Sequence, residues 1–298
     1  MNPFYYRPKS RALFRVTGED AFTYLQSQVA NNLAELRPDS NPVYTFWLNQ
    51  KGKIEADSQI WMEAEGVFWV MGFQVDPTLL LNLIERHIIA DDVEVETMSP
   101  AWDALIFGGL DSPQASQPPL PPPHFRFPEF LLDGLGECLI APRSTLDTVA
   151  AGFDAQTETV CWGDDRFHFE RIAAGRPSIP DDLSDNHTPF DLGPEPVGVH
   201  FDKGCYLGQE VMAKMLATGR GTRSLIPLRG IGNDLIDFSP GESLYKGNSD
   251  EKVGSLRSMA TSGDNIHALA LVRRRYLANS DSFAPESSKD MHMHPLRS

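Results

Sequence analysis

Short apolar runs alternate with polar positions along most of the chain, and their period separates helices from strands. Leu13–Val16 is strand-like. Thr17-Gly-Glu-Asp20 then reads as a capping box ahead of Phe22, Leu25, Val29 and Leu33 at helical spacing, which predicts a helix over residues 19–34. Val43–Leu48, Ile54–Met62 and Val67–Phe73 read as strands joined by Gly-containing turns, so they are expected as neighbours in one antiparallel sheet. Asp76-Pro77 supplies an N-cap with proline at the first helical position, followed by a stripe of Leu80, Leu83, Ile84 and Ile88. Val93–Thr97 and Ala101–Phe107 are expected to return to that sheet, which makes the N-terminal third α+β.

The pattern then breaks. Residues 111–128 hold seven prolines and little that can bury itself, which predicts a polyproline-like connector; a proline-rich ligand for a recognition domain is the other reading. Glu137–Ile140 is strand-like, Ser144–Ala151 helical, and Arg166–Ile172 a further element. Beyond Leu225, the β-prone runs Leu225–Leu228, Ser243–Tyr245, Val253–Leu256 and Ala268–Val272 suit a small barrel. The expected organisation is an α+β subdomain at 1–110, a connector at 111–128, a second α+β subdomain at 129–224, a small β-barrel at 225–278 and a disordered polar tail at 279–298.

Composition narrows the function classes. The 298 residues carry a formal net charge of −15 and no apolar run near the roughly 20 residues that span a membrane. The first ten residues lack an apolar signal core and a strand-like run follows at once, so the expected location is the cytoplasm. A strongly acidic chain repels phosphate backbones, and no direct nucleic-acid binding is expected; Arg220–Arg223 and Arg273–Arg275 are the local basic runs. Cys138, Cys161 and Cys205 are odd in number and make no CxxC, so neither a disulfide framework nor a self-contained metal site is implied.

P-loop, HExxH, GxSxG and strand-linked GxGxxG patterns are absent, which leaves one dense segment, Phe201-Asp-Lys-Gly-Cys-Tyr-Leu-Gly-Gln-Glu-Val-Met-Ala-Lys-Met-Leu216. It reads as a Gly-bracketed turn feeding a short helix with Val211, Met212, Met215 and Leu216 on one side. Cys205 would lie near the helix N-terminus and beside Lys203, both of which favour thiolate, while Glu210 partly opposes this. A small buried Cys in a tight turn is the alternative, and Gly204 and Gly208 serve such a turn whatever its function.

Lys203-Gly-Cys-Tyr-Leu-Gly-Gln-Glu210 resembles the KGCYxGQE signature of the YgfZ family, folate-binding relatives of the glycine-cleavage T-protein that also include mitochondrial iron–sulfur assembly factors. The resemblance extends to Leu13–Val16 with Gly18, to Tyr24–Gln28 and Asn31, to Lys51–Lys53 with Asp57, to Arg171–Pro177, and to Gly219 and Arg223. It implies a T-protein (aminomethyltransferase)-like folate-binding fold, α+β with a small C-terminal β-barrel. It also implies a tetrahydrofolate-binding accessory factor supporting assembly or repair of iron–sulfur clusters in client proteins, including tRNA-modifying enzymes. Cys205 would be the functional thiol, with Lys203, Gly204, Tyr206, Gly208, Gln209 and Glu210 completing its signature. Arg223 and Lys214 are candidates for a cationic rim that attracts the folate's glutamyl tail, and Trp47 and Trp61 for its aromatic walls. The alternative is a folate-dependent aminomethyl transferase or demethylase. Against it stand Ala173, where many relatives place a Glu, and the T-protein's acidic pair reduced to Glu55-Ala56.

Overall fold

The computed structural model describes residues 2–8, 11–109, 120, 122–219, 221–232, 238–247 and 249–296. The chain opens with β1 (Phe4–Tyr6), β2 (Ala12–Thr17), α1 (Ala21–Gln28), β3 (Val43–Leu48), β4 (Ile54–Ala64), β5 (Val67–Gly72), α2 (Pro77–Glu85) and β6 (Glu94–Thr97). Strands β2 to β6 make one antiparallel sheet in the order β3-β4-β5-β2-β6. Because strand side chains alternate, Phe14, Ile60, Phe68 and Val70 pack with α1 and α2, while their neighbours Leu13, Trp61, Trp69 and Met71 face the opposite way. Both faces of this sheet are therefore covered.

The α2 signals behave as expected: the Asp76 carboxylate accepts from the Leu79 amide at 2.9 Å, and Leu80, Leu83 and Ile84 are buried. Helix α1 is shorter than predicted. Val29 turns extended to bridge Trp47, and the Ala30 amide donates to Phe46 O at 3.0 Å, so pairing with β3 wins over continuing the apolar stripe. The expected capping box is not formed either, since the Asp20 carboxylate accepts from the Asp92 amide instead.

A second sheet follows from β7 (Trp102–Gly108), β8 (Phe125–Pro128) and β9 (Gly136–Pro142), then α3 (Arg143–Asp154), β10 (Val160–Cys161) and α4 (Asp164–Ala173). Its order is β10-β1-β7-β9-β8, with only the β1–β10 pair parallel. Trp102–Gly108 thus leaves the first sheet, contrary to expectation. All seven of its residues are buried, Trp102, Ala104 and Ile106 against Trp61 and Trp69, Leu105 and Phe107 against α3, so it takes the centre of a sheet of its own. Residues 111–119 and 121 of the predicted connector lie outside the described residues. Its last four, Phe-Arg-Phe-Pro, are not connector but β8, because Phe125 and Phe127 enter the aromatic cluster around Trp61.

The remaining elements are α5 (Gln209–Thr218), β11 (Arg223–Ile231), β12 (Ser243–Lys246), β13 (Lys252–Ser262), β14 (Asn265–Arg273), β15 (Phe283–Pro285) and β16 (His294–Pro295). They curl into an antiparallel sheet ordered β15-β12-β13-β14-β11-β16. Its two edges meet where Phe283 and Met293 exchange amide–carbonyl bonds of 2.8 Å, closing a small barrel. The expected disordered tail is corrected here. Phe283 and Met293 are fully buried among Leu244, Val253 and Leu256, and two apolar plugs suffice to order an otherwise polar stretch. No helix among the described residues is long and apolar enough to cross a membrane.

Candidate functional site

The Lys203–Glu210 segment forms the turn into α5 and is held from two sides. Gly208 caps the helix at φ +84, a left-handed backbone that glycine adopts without strain, and a Cβ there would stand 2.6 Å from Asn49 O. The turn is thereby pressed onto the hairpin between β3 and β4, which brings two separately noted segments, Lys51–Lys53 and the signature, into contact. Gly204 has open space and no left-handed backbone, so the expected need for glycine is not met there.

From the other side, Lys203 is buried and its Nζ donates to the carbonyls of Gln26, Val29 and Asn31 at 2.6, 2.7 and 2.8 Å. These carbonyls are free because α1 stops at Gln28 and the chain turns away. Burial pulls the Lys203 ammonium down to about 7, and only its protonated form has a hydrogen for each of the three carbonyls. Tyr206 is buried too, its ring centroid 5.1 Å from that ammonium, and burial raises its hydroxyl to about 12. Cys205, between two buried side chains, is exposed. It opens on a shallow cleft of about 600 Å³ bordered by Ser27, Gln28, Gln50, His87, Gln209 and Glu210. His87 Nδ1 lies 2.7 Å from Gln28 Oε1 on this rim. Lys203 accordingly acts as a peg that fixes the turn; the expected role of its charge beside the thiol gives way to the three carbonyls.

A second cleft lies where the first sheet meets the loops of the other subdomains, lined by Tyr44, Asp57, Gln59, Gln74, Phe130 and Ile179. The Tyr44 hydroxyl donates to Asp57 Oδ2 at 2.8 Å. Burial raises the Asp57 carboxyl to about 6 against the pull of that bond, and it raises the Tyr44 hydroxyl well above its ordinary range. Phe130 stacks on Tyr44 with centroids 4.2 Å apart, and the Arg176 guanidinium covers the ring at 4.3 Å. The free volume left is about 20 Å³, room for one water. Next to Phe130, Glu129 is buried with one carboxylate oxygen taking the Leu131 amide at 2.8 Å, and burial raises it to about 7.

The other sequence candidates scatter. Trp47 and Trp61 are each 1% exposed and line neither cleft. Trp47 is pinned inside the first core by Nε1 donating to Ser58 Oγ at 2.9 Å, and Trp61 packs on Trp69 between the sheets, so alternation makes both core residues rather than ligand walls. Lys214 is exposed on α5 and Arg223 pairs with Asp191 at 3.0 Å, both away from the Tyr44–Asp57 cleft. The Arg171–Pro177 run is structural: Arg171 and Asp182 form a fully buried ion pair of 2.9 Å, and Asp182 also accepts from the Ser178 amide and the Ser258 hydroxyl. Sequence reasoning missed Tyr44, Phe130 and Glu129. The available signal was a carboxylate, Asp57, set inside a β-prone run. Among the described residues no group of three or more His, Cys, Asp or Glu side chains is placed to hold a metal.

Comparison with known proteins agrees with this architecture. Residues 10–117 match the family described as GCVT N-terminal domain. The structure superimposes on glycine cleavage system aminomethyltransferase T from Bartonella henselae with a TM-score of 0.79 at 16% identity, over 100% of this chain and 85% of that one. Two bacterial proteins called tRNA-modifying protein YgfZ are similar in sequence. The Cronobacter sakazakii protein is 27% identical over 258 residues, 78% of this chain and 72% of its own. The Escherichia fergusonii protein is 20% identical over 96% of this chain and 90% of its own. A mitochondrial iron-sulfur cluster assembly factor IBA57 homolog of Pyricularia oryzae is 28% identical over 74% of this chain, which spans 55% of that relative. The fold is therefore that of the T-protein class, built from three sheets of which the C-terminal one curls into a small barrel. Within that class the chain is similar in sequence, over most of its length, to YgfZ and IBA57 proteins, the relatives that its Lys203–Glu210 segment resembles.

Proposed function

We propose that the protein is a tetrahydrofolate-binding accessory factor that supports iron–sulfur clusters in client enzymes, tRNA-modifying ones among them, with Cys205 as its working thiol. The observation that carries this reading is the pegged turn: a buried ammonium and a buried tyrosine on either side hold the Cys205 thiol at the surface beside an open cleft, which the other exposed thiol, Cys161, does not line, a geometry suited to meeting another protein. The names of the bacterial and mitochondrial relatives supply the class of client.

The Tyr44–Asp57 cleft fits the demands of a pterin: an aromatic face to stack on, a carboxyl and the amides of Gln59 and Gln74 for a ring edge rich in donors and acceptors. Phe130 occupies the stacking position, so the ring would enter by displacing it. The Asp57–Tyr44 pair also favours a second reading, a folate-dependent transferase or demethylase, because a carboxyl near 6 can exchange a proton at neutral pH. Titrating intrinsic tryptophan fluorescence with tetrahydrofolate tests the folate half. Saturable quenching that Asp57→Asn weakens at least tenfold is expected; a full-strength response in that variant, or none in the parent, removes folate from this cleft.

A further inference from the structure

We infer that the barrel carries an anion site for a phosphate-rich small ligand, a di- or triphosphate group, in the cleft formed by Arg223, Arg273, Arg274 and Arg275 with Thr222. This cleft, about 400 Å³ in volume, shares no lining residue with the Tyr44–Asp57 cleft or the Cys205 cleft. Four arginines line it, in a chain whose formal net charge is −15. Gathering like charges is costly unless an opposite charge sits among them, so the residues that answer them decide what the cleft lacks.

Among the described residues one carboxylate answers directly. Asp191 Oδ1 accepts from Arg223 Nε at 3.0 Å. Glu251 reaches the group through Tyr276 alone: its Oε1 takes the phenol proton at 2.7 Å, and that phenol oxygen accepts from Arg275 Nη2 at 2.7 Å. Arg274 is answered by neutral groups, with Nε donating to Arg223 O and Ser224 Oγ and Nη2 to Phe190 O at 2.6 Å. Arg273 is exposed and makes no side-chain hydrogen bond or ion pair among the described residues. Counting Asp191 against the four guanidiniums leaves three positive charges, and counting the Tyr276-bridged Glu251 as well leaves two, a surplus suited to a multiply ionised phosphate group.

The site is also built before any ligand arrives. Arg274 is locked by three bonds, and its guanidinium passes so close to Gly221 that a Cβ there would stand 2.6 Å from Nη1. Arg275 lies over the Tyr276 ring at 4.7 Å. Anchored forks keep unspent N–H groups aimed in fixed directions, which favours bidentate recognition of phosphate oxygens and lowers the ordering cost of binding.

The test is calorimetric titration of the full chain with sodium tripolyphosphate at low salt, beside citrate, tri-γ-glutamate and a single-stranded RNA oligonucleotide. Arg273→Gln/Arg275→Gln is the variant, since Arg223 and Arg274 hold up the barrel. Saturable one-to-one binding of tripolyphosphate is expected, weakened at least tenfold in the variant while its thermal midpoint stays within a degree or two of the parent. No saturable binding, or equal binding by the variant, overturns the site. Tighter binding of tri-γ-glutamate or citrate overturns the phosphate assignment in favour of a carboxylate ligand, and tighter binding of the RNA overturns the small ligand.

Discussion

The two clefts of the signature side differ in almost every physical respect. The Tyr44–Asp57 cleft is narrow, filled by Phe130 and lined by groups whose ionisation burial has suppressed. The Cys205 cleft is wide and open, and its thiol is held out by neighbours that are themselves buried. One has the makings of a pocket that selects a planar small molecule, the other of a contact point for a macromolecule. Both are framed by the hairpin of β3 and β4, whose Asn49–Lys53 turn touches Gly208 and whose strands carry Tyr44 and Asp57.

The largest expected effect is at the Lys203 peg. Lys203→Met would leave three carbonyls of residues 26, 29 and 31 without their donor, and a loss of about 3–5 kcal/mol in urea unfolding is expected, along with a disordered Cys205 turn. Far from either cleft, Phe283→Ala should cost about 3–4 kcal/mol in the same assay, because the side chain is fully buried where the barrel closes. A null effect there would return residues 279–298 to a dispensable tail.

A smaller effect separates the clefts by pH. Asp57 rises from its ordinary 3.8 to about 6 and Glu129 from 4.5 to about 7 in the folded protein, so each binds its proton more tightly folded than unfolded. Their contribution to stability is whole below about pH 4 and is lost as pH climbs through 6 and 7. Glu129→Gln should flatten that fall by roughly 2–3 kcal/mol between pH 4 and pH 8, read from thermal midpoints. The smallest expected effect is on affinity: Phe130→Ala empties the stacking position on Tyr44 and should tighten tetrahydrofolate binding about tenfold. Weaker binding would mean that Phe130 is part of the pocket's wall.

How far the chain could be read follows the same physics. Strands β3, β4 and β5 and helix α2 were legible because their β-prone runs are cut by Gly-containing turns and Asp76-Pro77 is an unambiguous start, whereas β7, buried on both faces, gave no sign of which sheet it would join. The end of α1 was not, since Val29 and Leu33 keep helical spacing while a strand 14 or more residues away claims the backbone. The closing strands of the barrel hid in the same way behind two isolated apolar residues. At the site, the signature located Cys205, but spacing alone could not say that Lys203 turns inward, which depends on carbonyls brought in by a distant helix end. Tyr44 and Phe130 meet across more than 80 residues and leave no local trace.

Under the proposed function the Cys205 thiol serves clients and the Tyr44–Asp57 cleft serves folate, independently of each other. The most direct measurement of this division is the activity of iron–sulfur client enzymes in cells lacking this protein and supplied with Cys205→Ser, run beside a tetrahydrofolate titration of the same purified variant. Parent-like folding and folate affinity are expected, with client activity no higher than in the empty cells. Full restoration of client activity by the serine variant would contradict it.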